Sequence, residues 1–356
     1  MPTEAAKEDP RSEAWKTDRD ERHLSFRIAS AAALAFVVGM FFSWPLFYIA
    51  AAFAAPFAQA PAPMSFRAGV RLLASMAALL GAALLLSSVL LPYPIVYLSA
   101  IVIALVLSFR YAVRGGDMLV TIAALLGSLL VPHLMLMSPQ LGVTVTFWLM
   151  ANFTIGLVVS WVAFILFPGA PSGQTPKSDP KENNGDLDRR LVRICLVCAP
   201  FAVFYFISGS DAFYALIFVA LLSSQLAATT DAGPAAARTM LMANLSGGLA
   251  AIIAYEVIVM APLPLAAILV VATLCLFFAN RIATGDPQAA SALTVAILLL
   301  GGSMVFANDA DVRLIDRMAQ IALAIGYILA AFVLVDRWLP ERSQTNGQVR
   351  DDVPIS

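Results

Sequence analysis

Charge is what this chain has least of. Of its 356 residues, 22 are Lys or Arg and 23 are Asp or Glu, only 13% in all. A soluble domain carries about 25%, so a water-facing surface could not be covered here and a soluble globular fold is excluded. Histidine is scarcer still, with His23 and His133 alone, and the three cysteines, Cys195, Cys198 and Cys275, all sit in apolar stretches. Those residues cannot supply a metal site and imply no disulfide framework. Cys195-x-x-Cys198 has a redox spacing but no βαβ context, and reads as two small residues on one helix face. There is no phosphate-binding glycine loop and no ATPase motor. An enzyme is therefore not expected, nor a cofactor, and active transport would draw on an ion gradient or a partner. The net charge of −1 is spread over tails and loops, so no nucleic-acid partner is expected.

Apolar residues are abundant, at 60% of the chain with a mean hydropathy of +0.84. This is an all-α polytopic membrane protein, with the lipid bilayer as its first partner. Residues 1–24 are dense in charge of both signs and read as a solvated tail, too long and acidic for the start of a cleaved signal. Apolar stretches follow at 28–43, 45–60, 69–91, 94–109, 118–137 and 144–167, and again at 191–208, 212–228, 236–260, 264–279, 288–307 and 317–339. The first pair is separated only by Trp44-Pro45. It reads either as two short or tilted spans or as a re-entrant hairpin, since a span needs about 20 residues.

The chain is one half written twice. Phe47-Tyr48, Gln59 and Gly81 recur 166 residues later as Phe213-Tyr214, Gln225 and Gly247. Arg71 returns as Arg238 after 167, and Pro92-Tyr93-Pro94 as Pro262-Leu263-Pro264 after 170. Arg27 likewise recurs as Arg193, Arg110 as Arg281 and Gly156 as Gly326. The expected organisation is a tail at 1–24, a first repeat at 25–168, a linker at 169–189, a second repeat at 190–340 and a tail at 341–356. Basic residues gather in alternate connections: Arg67 and Arg71, Arg110 and Arg114, Lys177 to Arg193, Arg238, Arg281. The positive-inside rule then places both termini and the linker in the cytoplasm. Each half of about six transmembrane helices crosses an even number of times, which predicts two parallel repeats about an axis along the membrane normal.

Several repeated residues have structural work to do. Pro94 and Pro264 suit the first turn of a helix, while Gly116-Asp117 and Gly285-Asp286 read as a loop glycine before a helix N-cap. Ala77 to Gly81 and Ala243 to Gly247 have the spacing that lets helices approach closely.

Arg27 with its Ala-rich helix, Trp44-Pro45, Gln59-Ala-Pro61-Ala-Pro63, Gly69-x-Arg71 and the Gly81 helix together resemble the fusaric acid resistance and aromatic-acid exporter superfamily. More closely, they resemble small membrane proteins of unknown function allied to it. The likeness covers roughly residues 23–168 and, more weakly, 189–340. It rests on the order of features, since no single motif is specific. It implies a bacterial inner-membrane efflux permease for aromatic or carboxylic acid-like molecules, in several cases working with a periplasmic membrane-fusion adaptor of the HlyD type. The exporters insert a large cytoplasmic domain between their halves, where this chain has only a short polar linker.

Polar residues within the apolar segments are the candidates for function. Gln59 and Arg71 flank one cytoplasmic turn, and Gln225 and Arg238 flank its repeat. An arginine fork with a glutamine amide suits an anionic aromatic substrate; against this, both arginines could simply anchor helix ends among headgroups. Glu256 could carry a coupling proton or merely reach the outer interface. Asn152 and Asn244 read as interhelical hydrogen-bond partners more readily than as ligands, and His133 as an interfacial residue. The charged connection 308–316 could dock an adaptor or be a plain solvated loop. Two alternatives stand beside the permease: a non-transporting scaffold of an envelope complex, and a transporter of the major facilitator type. Against the latter, the loop Gln59-Ala-Pro-Ala-Pro-Met-Ser-Phe-Arg-Ala-Gly lacks that family's acidic Gly-x-x-x-Asp-Arg pattern.

Overall fold

The computed structural model describes residues 10–168, 184–209, 215–217, 219–220, 233–306 and 310–338. Among them every regular element is helical: α1 Pro10–Phe41, α2 Phe47–Gln59, α3 Phe66–Leu90, α4 Pro94–Val113, α5 Met118–Met137, α6 Pro139–Leu166 and α7 Asn184–Ser208, then α8 Gly233–Met260, α9 Pro264–Ala283, α10 Ala289–Phe306 and α11 Ala310–Trp338. Residues 215–217 and 219–220 are also helical. Among the described residues, eight helices are long and apolar enough to cross a membrane, whereas α2 and the apolar part of α10 are shorter. The chain is a multi-pass membrane protein. Its outward faces fit this, with Leu85, Ile95, Ile165 and Leu265 largely exposed as side chains facing lipid would be.

Local chemistry sets the helix boundaries. Pro94 and Pro264 open α4 and α9 at the first helical position, where the missing N–H costs nothing. Asp117 caps α5, its Oδ1 accepting from Leu119 N at 2.8 Å. Asp286 accepts from Gln288 N at 2.9 Å just before α10 and pairs with Arg281 at 2.7 Å. The loop glycine in a left-handed conformation is Gly285 in the second case, as expected, but Gly115, not Gly116, in the first. Gly116 is needed for another reason: a Cβ there would overlap the Tyr111 ring.

Among the described residues, two large hydrophobic clusters run through the bundle beside two smaller ones. One joins Phe36 of α1 and Ala50 and Ala54 of α2 to Phe278 of α9 and Leu300 of α10. The other joins Phe109 of α4 and Leu129 of α5 to Val197 of α7, Leu216 and Ile328 of α11. Neighbours come in matching sets. Helix α1 packs on α9 and α4 on α7; α3 packs on α5 and α8 on α10; α1 packs on α6 and α7 on α11. The same holds for α3 with α6 and α8 with α11, and for α5 with α6 and α10 with α11.

The small-residue stripes behave differently in the two halves. A Cβ at Gly247 would overlap the backbone of Ala292, so this glycine does let α8 approach α10 closely. At Gly81 nothing lies within 4 Å and Ala77 is exposed, so the expected close approach is absent there. Helix α3 meets α5 instead through Gly127, whose added Cβ would lie 3.5 Å from Ala83.

Candidate functional site

Among the described helices, α2 is enclosed from several sides. It packs against α1, α6 and α10, and its alanines and the phenylalanines Phe47 and Phe57 are buried. Small side chains allow that enclosure from several sides at once. At Gly156 of α6 a Cβ would come within 2.8 Å of Ala50 O and 3.1 Å of Ala54 N, and at Gly301 of α10 it would overlap Tyr48 of α2. With 13 residues, α2 is only about 20 Å long at 1.5 Å per residue, short of the ~30 Å hydrocarbon core of a bilayer.

The contacts of α2 fix its depth. At its C-terminal end Arg27 donates through Nε to Ala58 O at 2.8 Å and through Nη2 to Ala60 O at 3.0 Å. The guanidinium also lies 4.2 Å from the centroid of the Phe164 ring, near the end of α6. At the other end, Asn152 donates through Nδ2 to Pro45 O at 3.1 Å. Asn152 lies midway along α6, roughly 20 Å from either end by helical rise. The turn joining α1 to α2 is therefore halfway along the long helix beside it. By length and composition Asp20–Phe41 could cross a membrane, yet the bond from Asn152 places the turn that follows α1 beside the middle of α6.

The two ends of α2 differ in chemistry. A helix leaves its last carbonyls without internal partners, and a cation belongs at that negative end of the dipole. Arg27, 3% exposed, supplies two such bonds, each worth about 1.5–3 kcal/mol for a charged donor. The N-terminal end lacks an equivalent. Its N-cap is Leu46, in a left-handed conformation (φ 58°) and without a side-chain cap. Two polar atoms beside it are buried and unpartnered: Trp44 Nε1 and Asn152 Oδ1. Asn152 is wholly buried, and its Nδ2 is committed to Pro45 O and, at 2.8 Å, to Trp148 O. The Trp44 indole lies over Gly39, where a Cβ would come within 2.9 Å of Nε1.

A corresponding bond occurs later in the chain. Ala215 N, in the helical residues 215–217, donates to Gln320 Oε1 of α11 at 3.3 Å. Gln320 Nε2 in turn donates to Asp316 Oδ2 at 3.0 Å. Here too an amide side chain of a long helix meets the backbone beside a short buried helical segment, as acceptor where Asn152 is donor. Between the halves, His133 Nδ1 of α5 and the Tyr205 hydroxyl of α7 lie 2.9 Å apart. This places His133 in an inter-helix polar contact.

Of the residues singled out from the sequence, Gln59 is half-buried at the end of α2 and Arg71 is exposed on α3. Helix α3 packs against α4, α5 and α6. Among the described residues no hydrogen bond joins Gln59 to Arg71, and the arginine that meets the α2 terminus is Arg27. Gln225 lies outside the described residues, as does the side chain of Arg238 on α8. Glu256 is exposed one turn before the end of α8, on a face shared with Ile253, Val259 and Met260. The loop 308–316 falls partly outside the described residues. Arg27 was marked in the sequence by its repeat at Arg193, which could have identified it as a capping group. Trp44 and Asn152 carried no such spacing signal, because their meeting depends on residues 107 positions apart, Asn152 and Pro45.

Comparison with known proteins is consistent with this centre of gravity. A family model described as a protein of unknown function (DUF2955) matches residues 24–163, a segment that contains Arg27, α2 and Asn152. Neither the curated proteins nor the solved structures yield a match. In its first half, the chain is similar to an uncharacterised family.

Proposed function

We propose that this protein is a permease of two parallel repeats that exports small aromatic or carboxylic acid-like molecules across the bacterial inner membrane, driven by an ion gradient. One observation carries the reading: α2 is a half-length helix whose N-terminal turn stops halfway along α6, beside buried polar atoms without partners. Interrupted helices at membrane depth are tolerated where they are buried in protein or line a cavity, and transporters use such half-helices to bind substrate near the midplane. The matching neighbour pairs support the repeat: α1, α3, α4, α5 and α6 have the same relations to one another as α7, α8, α9, α10 and α11. In this arrangement α1 on α9 and α4 on α7 are the two equivalent contacts between halves.

The basic residues of alternate connections orient the protein with both termini in the cytoplasm. The first helix pair is then a hairpin dipping from the cytoplasmic side. Gln59 and Arg71, with Gln225 and Arg238, remain the proposed cytoplasmic mouth, Glu256 the proposed proton carrier, and an HlyD-type adaptor the proposed periplasmic partner. Counterflow of a labelled aromatic acid in proteoliposomes tests the function. Accumulation of label against preloaded unlabelled acid is expected. Failure across a panel of aromatic and aliphatic acids, with correctly inserted protein, would favour a membrane scaffold instead.

A further inference from the structure

Where α1 and α6 meet α9, the protein's own side chains leave a hollow. A cavity of about 330 Å³ lies between the three helices, lined by Leu34 and Val37, by Ala163 and Leu166, and by Ile268 and Ala272. Its origin can be read from the residues. Each helix turns an alanine to it, Ala33, Ala163 and Ala272, and three methyl groups cannot fill the space between three helices to the density of a protein interior. The contact of α4 with α7 is built differently, closed by the buried side chains of Leu105, Phe109 and Val197. Leu34 and Leu166 are exposed, so the hollow opens as a groove on the outward face of the bundle, where the bilayer lies.

The lining decides the occupant. Of the lining residues only Ser30 has a polar side chain, and its Oγ already donates to Arg27 O at 3.1 Å. An apolar hollow stays dry, and a charged or hydrogen-bonding ligand would leave its polar groups without partners there. A helix from a second copy is too thick, since one turn at a diameter of about 10 Å fills roughly 400 Å³. A hydrocarbon chain fits: at about 30 Å³ per methylene, close to the share of one water in its liquid, the cavity holds roughly ten carbons. Along α1 the lining runs from Ser30 to Val37, about 10 Å at 1.5 Å per residue, which lies within the ~15 Å depth of one leaflet's hydrocarbon. We propose that this groove holds one acyl chain of a bilayer phospholipid, wedged between α1 and α6 of the first half and α9 of the second. Dispersion contacts with three helices hold that chain, where a lipid on an outward face touches only one or two. The inference does not depend on what the protein transports.

The test places full-length protein in phosphatidylcholine nanodiscs that contain a small fraction of phosphatidylcholine with a mid-chain diazirine. After irradiation, peptides covering 30–37, 163–166 and 268–272 should carry more label than the outward face of α4, where Ile95, Ile103 and Leu107 are exposed. A phosphatidylglycerol probe should give the same pattern, since no charged side chain lines the groove. Ala272→Phe and Ala33→Phe fill the hollow from two different helices, at half-buried positions. Each should bring groove labelling down to the level of α4 and leave α4 itself unchanged, and the pair covers the case in which one variant fails to insert. Groove labelling no stronger than on α4, or full labelling in a correctly inserted variant, would overturn the site. So would labelling by phosphatidylglycerol alone, because the headgroup and not the chain would then decide. A Leu34→Cys protein, on a background without the native cysteines, that joins copy to copy by a disulfide while the groove stays unlabelled would make the occupant a second copy and overturn it as well.

Discussion

The two ends of α2 meet the interior of the same bundle in opposite ways. At the C-terminal end Arg27 spans two carbonyls 31 and 33 residues away and rests on Phe164, so that charge, dipole and hydrogen-bond capacity are all satisfied. At the N-terminal end Asn152 donates to the carbonyls of Pro45 and Trp148 and leaves its own oxygen, with the indole N–H of Trp44, unpaired. The capped terminus holds the helix in place, while the uncapped one keeps two polar atoms buried without partners, at some cost in stability.

The largest expected effect comes from breaking the closed end. Arg27→Ala leaves the buried Ala58 carbonyl and the half-buried Ala60 carbonyl unpaired and should destabilise the protein by about 3 kcal/mol, from roughly 1–3 kcal/mol per orphaned group. Thermal unfolding in nanodiscs at a fixed scan rate measures this. Arg27→Lys should recover only part of the loss, because an ammonium cannot reproduce the planar fork. A fully stable Arg27→Ala protein would show that α2 is held by packing alone.

The next expectation compares two glycines that share a place in the sequence repeat. Gly156→Ala forces a Cβ to within 2.8 Å of Ala50 O, a backbone atom that cannot swing aside, and should cost about 1–3 kcal/mol. Gly326→Ala meets nothing within 4 Å and should be neutral or slightly stabilising, by up to ~1 kcal/mol from helix propensity. Equal melting temperatures for the two variants would mean that α6 does not press on α2 as described.

Much of this was legible in the sequence, and the parts that were not share a cause. The starts of α4, α5 and α9 follow from Pro94, Asp117 and Pro264, because N-terminal helix chemistry is local. The abrupt Trp44-Pro45 break and the shortness of the stretch after it already posed the choice between two spans and a hairpin. What could not be read was which side chain meets which backbone across long separations. Gln59 and Arg71 are close in sequence, whereas the arginine that meets the α2 terminus is Arg27 on the preceding helix. The stripe Ala77 to Gly81 has the right spacing for close packing, but spacing fixes only a face. Packing of α3 against α5 and α6 turns that face outward.

A smaller effect is expected at the open end of α2. Asn152→Leu removes the bond to Pro45 O but also removes an unpaired oxygen, so the net loss should be about 1 kcal/mol, well below that of Arg27→Ala. A loss as large as at Arg27 would erase the contrast between the ends. The smallest effect belongs to Arg71→Lys. With Arg71 exposed on α3, melting should shift by less than the equivalent of ~0.5 kcal/mol. Lysine would serve equally as a headgroup anchor, so unchanged uptake would remove Arg71 from the proposed mouth.

The depth of the α1–α2 turn underlies the hairpin reading of the first helix pair. Power-saturation spin-label measurements in nanodiscs, on a background with Cys195, Cys198 and Cys275 replaced, can read it at Ser43→Cys. Gln140→Cys, exposed at the start of α6, gives the reference for the opposite end of the bundle. If the account is right, the residue 43 label lies close to mid-bilayer, about 20 Å from the level of residue 140 by the rise along α6. A label at residue 43 as shallow as the one at residue 140 would mean that α1 crosses the membrane fully, and would contradict it.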